Sequence, residues 1–191
     1  MQLVLASESP RRSALLAQAG IAPDAIVATS IDEKIRKSES PRAYGLRLAR
    51  DKVVAAAERW HGAPSIVLAA DTVVACGRRI LPKAESEEEV RACLTLLSGR
   101  NHMVLTAIAV WSDSDKIRTR IVETRVAFQR LTRNEIDSYA RCSEGLGKAG
   151  GYAIQGRAEI FVRRLSGSYS NVVGLPLRET VTLLRASGYS C

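Results

Sequence analysis

The run Ile66-Val67-Leu68-Ala69-Ala70-Asp71-Thr72-Val73-Val74-Ala75 constrains the fold more than any other stretch of the chain. Its apolar residues continue without alternation, as in a strand buried on both faces of a sheet. Such a strand belongs to an α/β architecture, in which helices cover the sheet. Asp71 interrupts the run. An ionised carboxylate there needs a metal, a cation or several donors to offset its lost hydration. Asp71 is therefore the first candidate for acid–base or metal-ligand chemistry. The plainer alternative is an Asp that satisfies backbone donors at a strand end.

A second constraint lies at the start of the chain. Leu3-Val4-Leu5-Ala6 has the composition of a short buried strand, and Ser7-Glu8-Ser9-Pro10-Arg11-Arg12 follows it directly. Ser9 suits an N-cap and Pro10 the first helical position, so Arg11 and Arg12 fall in the first turn of a helix that Gly20 can end. Cations oppose the helix dipole there unless an anion arrives. An anion would meet free backbone N–H groups, serine hydroxyls and two guanidinium forks. The pattern points to a phosphate site, with both arginines facing solvent until it fills. A solvated first turn is the competing reading.

The remaining elements read in order. Ala25–Ala28 is a short strand, and the polar stretch after it holds Asp32 and Glu33. Ser40-Pro41 starts a helix that runs to about Trp60, with Leu48, Lys52, Ala55 and Ala56 on one face. Lys52 thus borders an apolar stripe, where it can snorkel or face a polyphosphate. Gly77-Arg78 turns the chain and leads to Pro82-Lys83. Ser86-Glu87-Glu88-Glu89 and Thr132-Arg133-Asn134-Glu135 are capping boxes. Met103–Trp111 and Ile117–Phe128 form a hairpin around a polar turn at 113–115, with a bulge near Ile121-Val122.

The stretch Gly145-Leu146-Gly147-Lys148-Ala149-Gly150 meets a dinucleotide-binding glycine pattern, but no strand precedes it and the acidic ribose ligand is missing. A flexible glycine-rich loop leading to Gln155 is the better reading. Gln155 has the donor and acceptor needed to read a base edge; a surface strand position explains it equally well. Ala158–Leu165 reads as a strand, 167–171 as a polar turn, and Gly174-Leu175-Pro176 as the start of a last helix.

Composition narrows the function. A chain of 191 residues with no linker or repeat fits a single domain spanning 1–191. The net charge of +8, carried mostly by arginine, suits anionic partners such as nucleotides or nucleic acid. With only 5% aromatic residues, a stacking platform for single strands is disfavoured. Cys76, Cys93, Cys142 and Cys191 lie too far apart for a zinc motif or a disulfide framework. A metal, if bound, should use oxygen ligands, which selects magnesium or manganese. No stretch is long and apolar enough to span a membrane, and no secretory signal pattern opens the chain, so the cytoplasm is the expected compartment.

Five stretches, in order, resemble the Maf family of nucleoside triphosphate pyrophosphatases: 7–12, Ala70-Asp71-Thr72-Val73-Val74, Leu96-Leu97-Ser98-Gly99-Arg100, 148–156 and 167–177. The resemblance covers the chain from Leu3 to the last helix. It implies an α/β fold with an elongated mixed β-sheet flanked by helices and a cleft between two lobes, similar to inosine triphosphate pyrophosphatases. It implies hydrolysis of a nucleoside triphosphate to monophosphate and pyrophosphate with a divalent metal, Mg or Mn, and a homodimer. Asp71, Lys52 and Lys83 would be catalytic. Ser7, Arg11, Arg12, Thr72 and Gln155 would bind the nucleotide and set specificity, and Glu33 and Asp71 would hold the metal. Whether Asp71 serves as base, ligand or both stays open. The family has Gly-Lys-Pro where this chain has Pro82-Lys83-Ala84.

Within the family, Arg11, Thr72 and Gln155 resemble the branch acting on dTTP and UTP. The 7-methyl-GTP branch has a tryptophan and an acid at the positions of Arg11 and Gln155, which suit a cationic base. A neutral pyrimidine pairs with an amide. CTP or 7-methyl-GTP as substrate, and a non-catalytic nucleotide- or nucleic-acid-binding regulator of cell division, remain the competing expectations.

Overall fold

The computed structural model describes residues 1–62, 65–112 and 116–190. The polar turn expected at 113–115 lies outside the described residues. Among the described residues seven strands form one mixed sheet: β1 (Gln2–Ala6), β2 (Ala25–Ile26), β3 (Ser65–Cys76), β4 (Arg79–Leu81), β5 (Asn101–Ser112), β6 (Lys116–Phe128) and β7 (Val162–Ser166). Their order is β2-β1-β3-β5-β6-β7, with β4 paired to β3. The helices are α1 (Pro10–Gln18), α2 (Pro41–Arg59), α3 (Glu87–Leu97), α4 (Arg133–Arg141), α5 (Tyr169–Val173) and α6 (Leu177–Ala186), with a 3-10 turn at Arg157–Phe161. Among the described residues no helix is long and apolar enough to cross a membrane.

The chain divides into two compact units, one of residues 1–71, 106–122 and 174–191, the other of 72–105 and 123–173. In the first, β1 runs parallel to β2 and to β3, with Leu3 opposite Ile66 and Ala6 opposite Ala69. Every residue of β3 from Ser65 to Asp71 is buried, as its unbroken apolar run requires. The helix α2 lies on this sheet through Ala49, Val53 and Ala56, against Val4, Ala6, Val67, Ala69, Ala107 and Ala109. Alanines on both sides let the helix backbone approach the strands closely. Lys52 stands on the same helical face, three residues after Ala49 and four before Ala56.

In the second unit, β4 returns antiparallel on β3, with Cys76 opposite Arg79. Its core contains an edge-to-face series of rings: His102 against Phe128 and Tyr152, Phe128 against Phe161, and Phe161 against Tyr139, with centroids 5.0–6.1 Å apart. Three expectations change here. The glycine-rich stretch is pinned rather than flexible: the Gly147 and Gly150 N–H groups donate to the carbonyls of Ala84 and Pro82, and Ala84 N–H donates to Lys148. The first half of 158–165 is 3-10 helix, because Gly156 breaks the chain and the Glu144 carboxylate accepts the Arg157 N–H at 2.8 Å. The polar turn at 167–171 carries the short α5, with the Ser168 hydroxyl accepting the Asn171 N–H.

Candidate active site

The site residues of the first unit gather where parallel strands end. Because Ala6 pairs with Ala69, the chain leaves β1 at Ser7 nearly level with Asp71 on β3. Carboxyl ends of parallel strands are where α/β sheets bind ligands. Ser7 is 7% exposed and its hydroxyl organises the turn. It accepts the Ser9 N–H at 3.2 Å and a guanidinium N–H of Arg12 at 3.0 Å. Ser9 occupies the N-cap position without the side-chain cap bond expected of it.

Arg12 departs from the solvent-facing side chain expected for the ligand-free turn. Its Nε donates to the Gly174 carbonyl at 3.0 Å, in addition to the Ser7 contact. Burial lowers the guanidinium pKa, and Arg11 adds to that, while the charges of Asp71 and Glu33 oppose it. Arg12 is thus preorganised beside both carboxylates. Arg11 is half-buried in the same helical turn.

Lys52 does not snorkel. Its ammonium lies 2.5 Å from Asp71 Oδ1 and 2.8 Å from Glu33 Oε1. Asp71 is 4% exposed and Lys52 8%, so the pair is buried and the cation offsets the lost hydration of the Asp71 carboxylate. Glu33, sequence-distant and within a stretch without helix or strand, is brought in by tertiary contacts. The Tyr44 hydroxyl donates to its carbonyl at 2.8 Å. Burial raises the Tyr44 pKa to about 12, and the negative charges of Asp71 and Glu33 push the same way.

Tyr44, Arg47 and Glu39 lie outside the sequence motifs. The one available signal is spacing: Tyr44, Leu48 and Lys52 recur every four residues and share a face of α2. Arg47 grips Glu39 through Nε and NH2 at 2.8 and 2.9 Å. The pairing lowers the Glu39 pKa to about 2 and raises that of Arg47.

Thr72, Lys83 and Gln155 belong to the second unit. Thr72 follows Asp71 on β3 and is half-buried. Lys83 is exposed and its backbone bridges to Ala149, which ties Pro82-Lys83-Ala84 to the glycine-rich stretch. Gln155 is exposed in the turn before the 3-10 helix, not in a strand. Its neighbour Ala153 donates its N–H to the Tyr139 hydroxyl at 3.0 Å, and the Tyr152 hydroxyl meets His102 Nε2 at 2.8 Å. Buried rings therefore hold the short stretch that ends in Gln155.

Among the described residues no group of three or more His, Cys, Asp or Glu side chains could cage a metal. Magnesium does not need such a cage; one or two carboxylates plus substrate phosphates suffice. Asp71 and Glu33 present that donor type and already converge on one cation, the Lys52 ammonium. The residues fit a divalent ion shared with a phosphate ligand.

A mixed sheet flanked by helices, with a buried strand carboxylate, a lysine between two acids and an arginine-bearing strand–helix turn, defines the chain as an α/β protein. Its family follows from sequence comparison. The chain belongs to the Maf-like protein family, whose model matches residues 2–187. It is 55% identical over 192 residues to the dTTP/UTP pyrophosphatase of Brucella abortus (strain 2308), covering 98% of this chain and 92% of that protein. It is 54% identical to the dTTP/UTP pyrophosphatase of Caulobacter vibrioides, covering 98% and 96%. Among solved structures, the Staphylococcus aureus Ham1 protein is similar over 67% of this chain and 72% of its own, at 15% identity and a TM-score of 0.47.

Proposed function

We propose that this chain hydrolyses nucleoside triphosphates, dTTP and UTP by preference, to the monophosphate and pyrophosphate. The observation that carries the reading is the buried Lys52–Asp71 pair flanked by Arg12 and Glu33. The names of the relatives support the same chemistry.

The residues divide the work. Arg12, preorganised by Ser7 and Gly174, and Arg11 in the same turn receive the phosphates, while the helix N-terminus supplies N–H donors. Asp71 orients the attacking water and takes its proton as the water oxygen bonds to the α-phosphorus. The bond from that phosphorus to the bridging oxygen breaks, and pyrophosphate leaves with the electron pair. Lys52 supplies positive charge beside Asp71, and Lys83 contributes a further cation. Positioning and charge neutralisation dominate in phosphoryl chemistry, and the same logic extends to this displacement. Asp71 and Glu33 are the residues that would hold magnesium or manganese, which when bound polarises phosphate oxygens. Thr72 and Gln155 select a neutral pyrimidine. The enzyme works as a homodimer in the cytoplasm, clearing nucleotides from the pool.

Pyrophosphate release from dTTP, UTP, CTP and 7-methyl-GTP, compared by kcat/KM with magnesium or manganese, tests the reading. Preference for dTTP and UTP is the expected result, with loss of about 100-fold or more in turnover for Asp71→Asn. No release from any of the four would end the catalytic proposal; a preference for 7-methyl-GTP would overturn only the substrate.

A further inference from the structure

We infer that Arg47 is a positioning residue for Glu33, and that Glu39 holds Arg47 in the geometry this requires. The inference rests on the proposed role of Glu33 in the substrate site. Residues 27–40 link β2 to α2 without helix or strand. A stretch of that length has many accessible conformations, and ordering it costs entropy. Here α2 holds the backbone from its own side chains. Arg59 donates to the Ala28 carbonyl at 3.0 Å. Arg47 donates through NH1 to the Asp32 carbonyl at 3.4 Å and through NH2 to the Lys34 carbonyl at 2.9 Å. Tyr44 takes the Glu33 carbonyl between them. Three successive carbonyls, of residues 32, 33 and 34, are therefore fixed by two side chains one helical turn apart.

Fixing the peptide planes on both sides of Glu33 fixes the direction in which its side chain leaves the backbone. That direction leads to Lys52, on the same helix as Arg47 and Tyr44. Both partners of the Glu33–Lys52 contact thus share one support, and α2 is itself anchored on the sheet. The fork of Arg47 is saturated: Nε and NH2 grip the two Glu39 oxygens, and NH1 also lies 3.6 Å from Asp51 Oδ2. A lysine has neither the second arm nor the planar fork to reproduce these contacts. Glu39 closes the clamp locally, accepting the Arg36 N–H at 3.0 Å.

A misplacement of about 1 Å in a catalytic group can cost up to about 100-fold in rate. The test compares pyrophosphate release by the wild-type chain, Arg47→Ala, Arg47→Lys, Glu33→Gln and the double variant Glu33→Gln/Arg47→Ala. Arg47→Ala and Arg47→Lys should each lower kcat about 10- to 100-fold, with KM changed by no more than about threefold. In the Glu33→Gln background, Arg47→Ala should cost nothing further. An equal cost in both backgrounds, or an unchanged kcat, overturns the inference. Amide hydrogen exchange decides it without turnover: Arg47→Ala should speed exchange at residues 32–34 about tenfold or more while amides of residues 48–56 keep their rates. Unchanged exchange at 32–34 overturns it as well. A wild-type chain that releases no pyrophosphate defeats the proposed function instead, and the exchange result still stands on its own.

Discussion

Lys52 holds its ammonium nitrogen 2.5 Å from Asp71 Oδ1 in a buried setting, with Glu33 on its other side at 2.8 Å. Removing the lysine would leave two carboxylates facing each other, one of them desolvated. Breaking a buried pair from one side costs about 3–5 kcal/mol, mostly through the stranded charge. Lys52→Met should therefore destabilise far more than Asp71→Asn, and Lys52→Met/Asp71→Asn should recover part of the loss. Urea midpoints at constant m value measure this. Equal midpoints for Lys52→Met and wild type would mean that Asp71 finds its compensation elsewhere.

Arg12 is held by contacts within the protein. Its fork is aimed by the Ser7 hydroxyl and the Gly174 carbonyl, so little rotamer entropy is lost on binding. Arg12→Ala should lower kcat/KM for dTTP by about 10- to 100-fold, the equivalent of a charge-assisted contact worth about 1.5–3 kcal/mol. Ser7→Ala should give a smaller fall in the same direction, because it frees Arg12 without removing it. Steady-state kinetics of Arg11→Ala, Arg12→Ala and Ser7→Ala check this, and unchanged kcat/KM in both arginine variants would remove the phosphate site from the opening turn.

His102 is 1% exposed, and burial lowers its pKa from 6.5 to about 4. The folded state thus prefers the neutral ring. A depressed histidine pKa gives stability that is complete above pH 6.5 and is lost as pH falls toward 4, where the unfolded chain binds the proton first. The loss amounts to about 3 kcal/mol over that window. Denaturant unfolding at pH 7 and pH 4.5 should show the fall in the wild-type chain and a smaller one in His102→Phe. Equal falls would place the acid sensitivity elsewhere. Glu39, with its pKa lowered to about 2, titrates below this window and contributes stability that disappears only as pH drops from about 4.5 toward 2.

The sequence displays some of this architecture openly and hides the rest for a physical reason. The β3 run announces its own burial, because apolar side chains on both faces leave a strand no solvated side. Asp71 is conspicuous there for the same reason. Ser40 and Thr132 show as caps because capping is local; both hydroxyls accept N–H bonds from three residues ahead. Glu33 is named only through the family resemblance and not by local pattern, since its place depends on Tyr44 and Arg47 reaching back from a later helix. The 3-10 turn at 157–161 is hidden in the same way: its residues have strand composition, and the Glu144 carboxylate that accepts the Arg157 N–H comes from a preceding segment. Glu89 illustrates a near miss, with its carboxylate bonding the N–H of Glu85 one residue outside the expected box.

Gly150 adopts φ +71°, and a Cβ there would stand 2.8 Å from Val74 Cγ1. Two costs combine, a left-handed backbone and a clash with a buried β3 side chain. Gly150→Ala should destabilise the chain by about 1–3 kcal/mol. Gly147→Ala offers the control: its φ is +67°, but nothing lies within 4 Å of the added carbon. Thermal melts of both should place Gly150→Ala below Gly147→Ala. The reverse order would show that the glycine-rich stretch is not pressed against β3.

Gln155 lies in an exposed turn whose approach is held by buried rings, with Tyr139 taking the Ala153 N–H and Tyr152 bonded to His102. An exposed amide on a held backbone suits a residue that meets a ligand, because its position is fixed while its donors and acceptor stay available. Uracil and thymine present carbonyl oxygens and one N–H, a pattern that an amide complements with one donor and one acceptor. Gln155→Glu replaces the donor by a second acceptor and adds a negative charge. The carbonyl of the base would then face a carboxylate, a repulsive contact rather than a missing one. We expect kcat/KM for dTTP and UTP to fall by about 10- to 100-fold, on the scale of one unsatisfied polar group. The cationic base of 7-methyl-GTP should lose little or gain. Gln155→Leu separates the two effects, since it removes pairing without adding charge, and should lower dTTP and 7-methyl-GTP together. Kinetics of both variants on both nucleotides decide the role, and an unchanged ratio of the two substrates in Gln155→Glu would place specificity outside this residue.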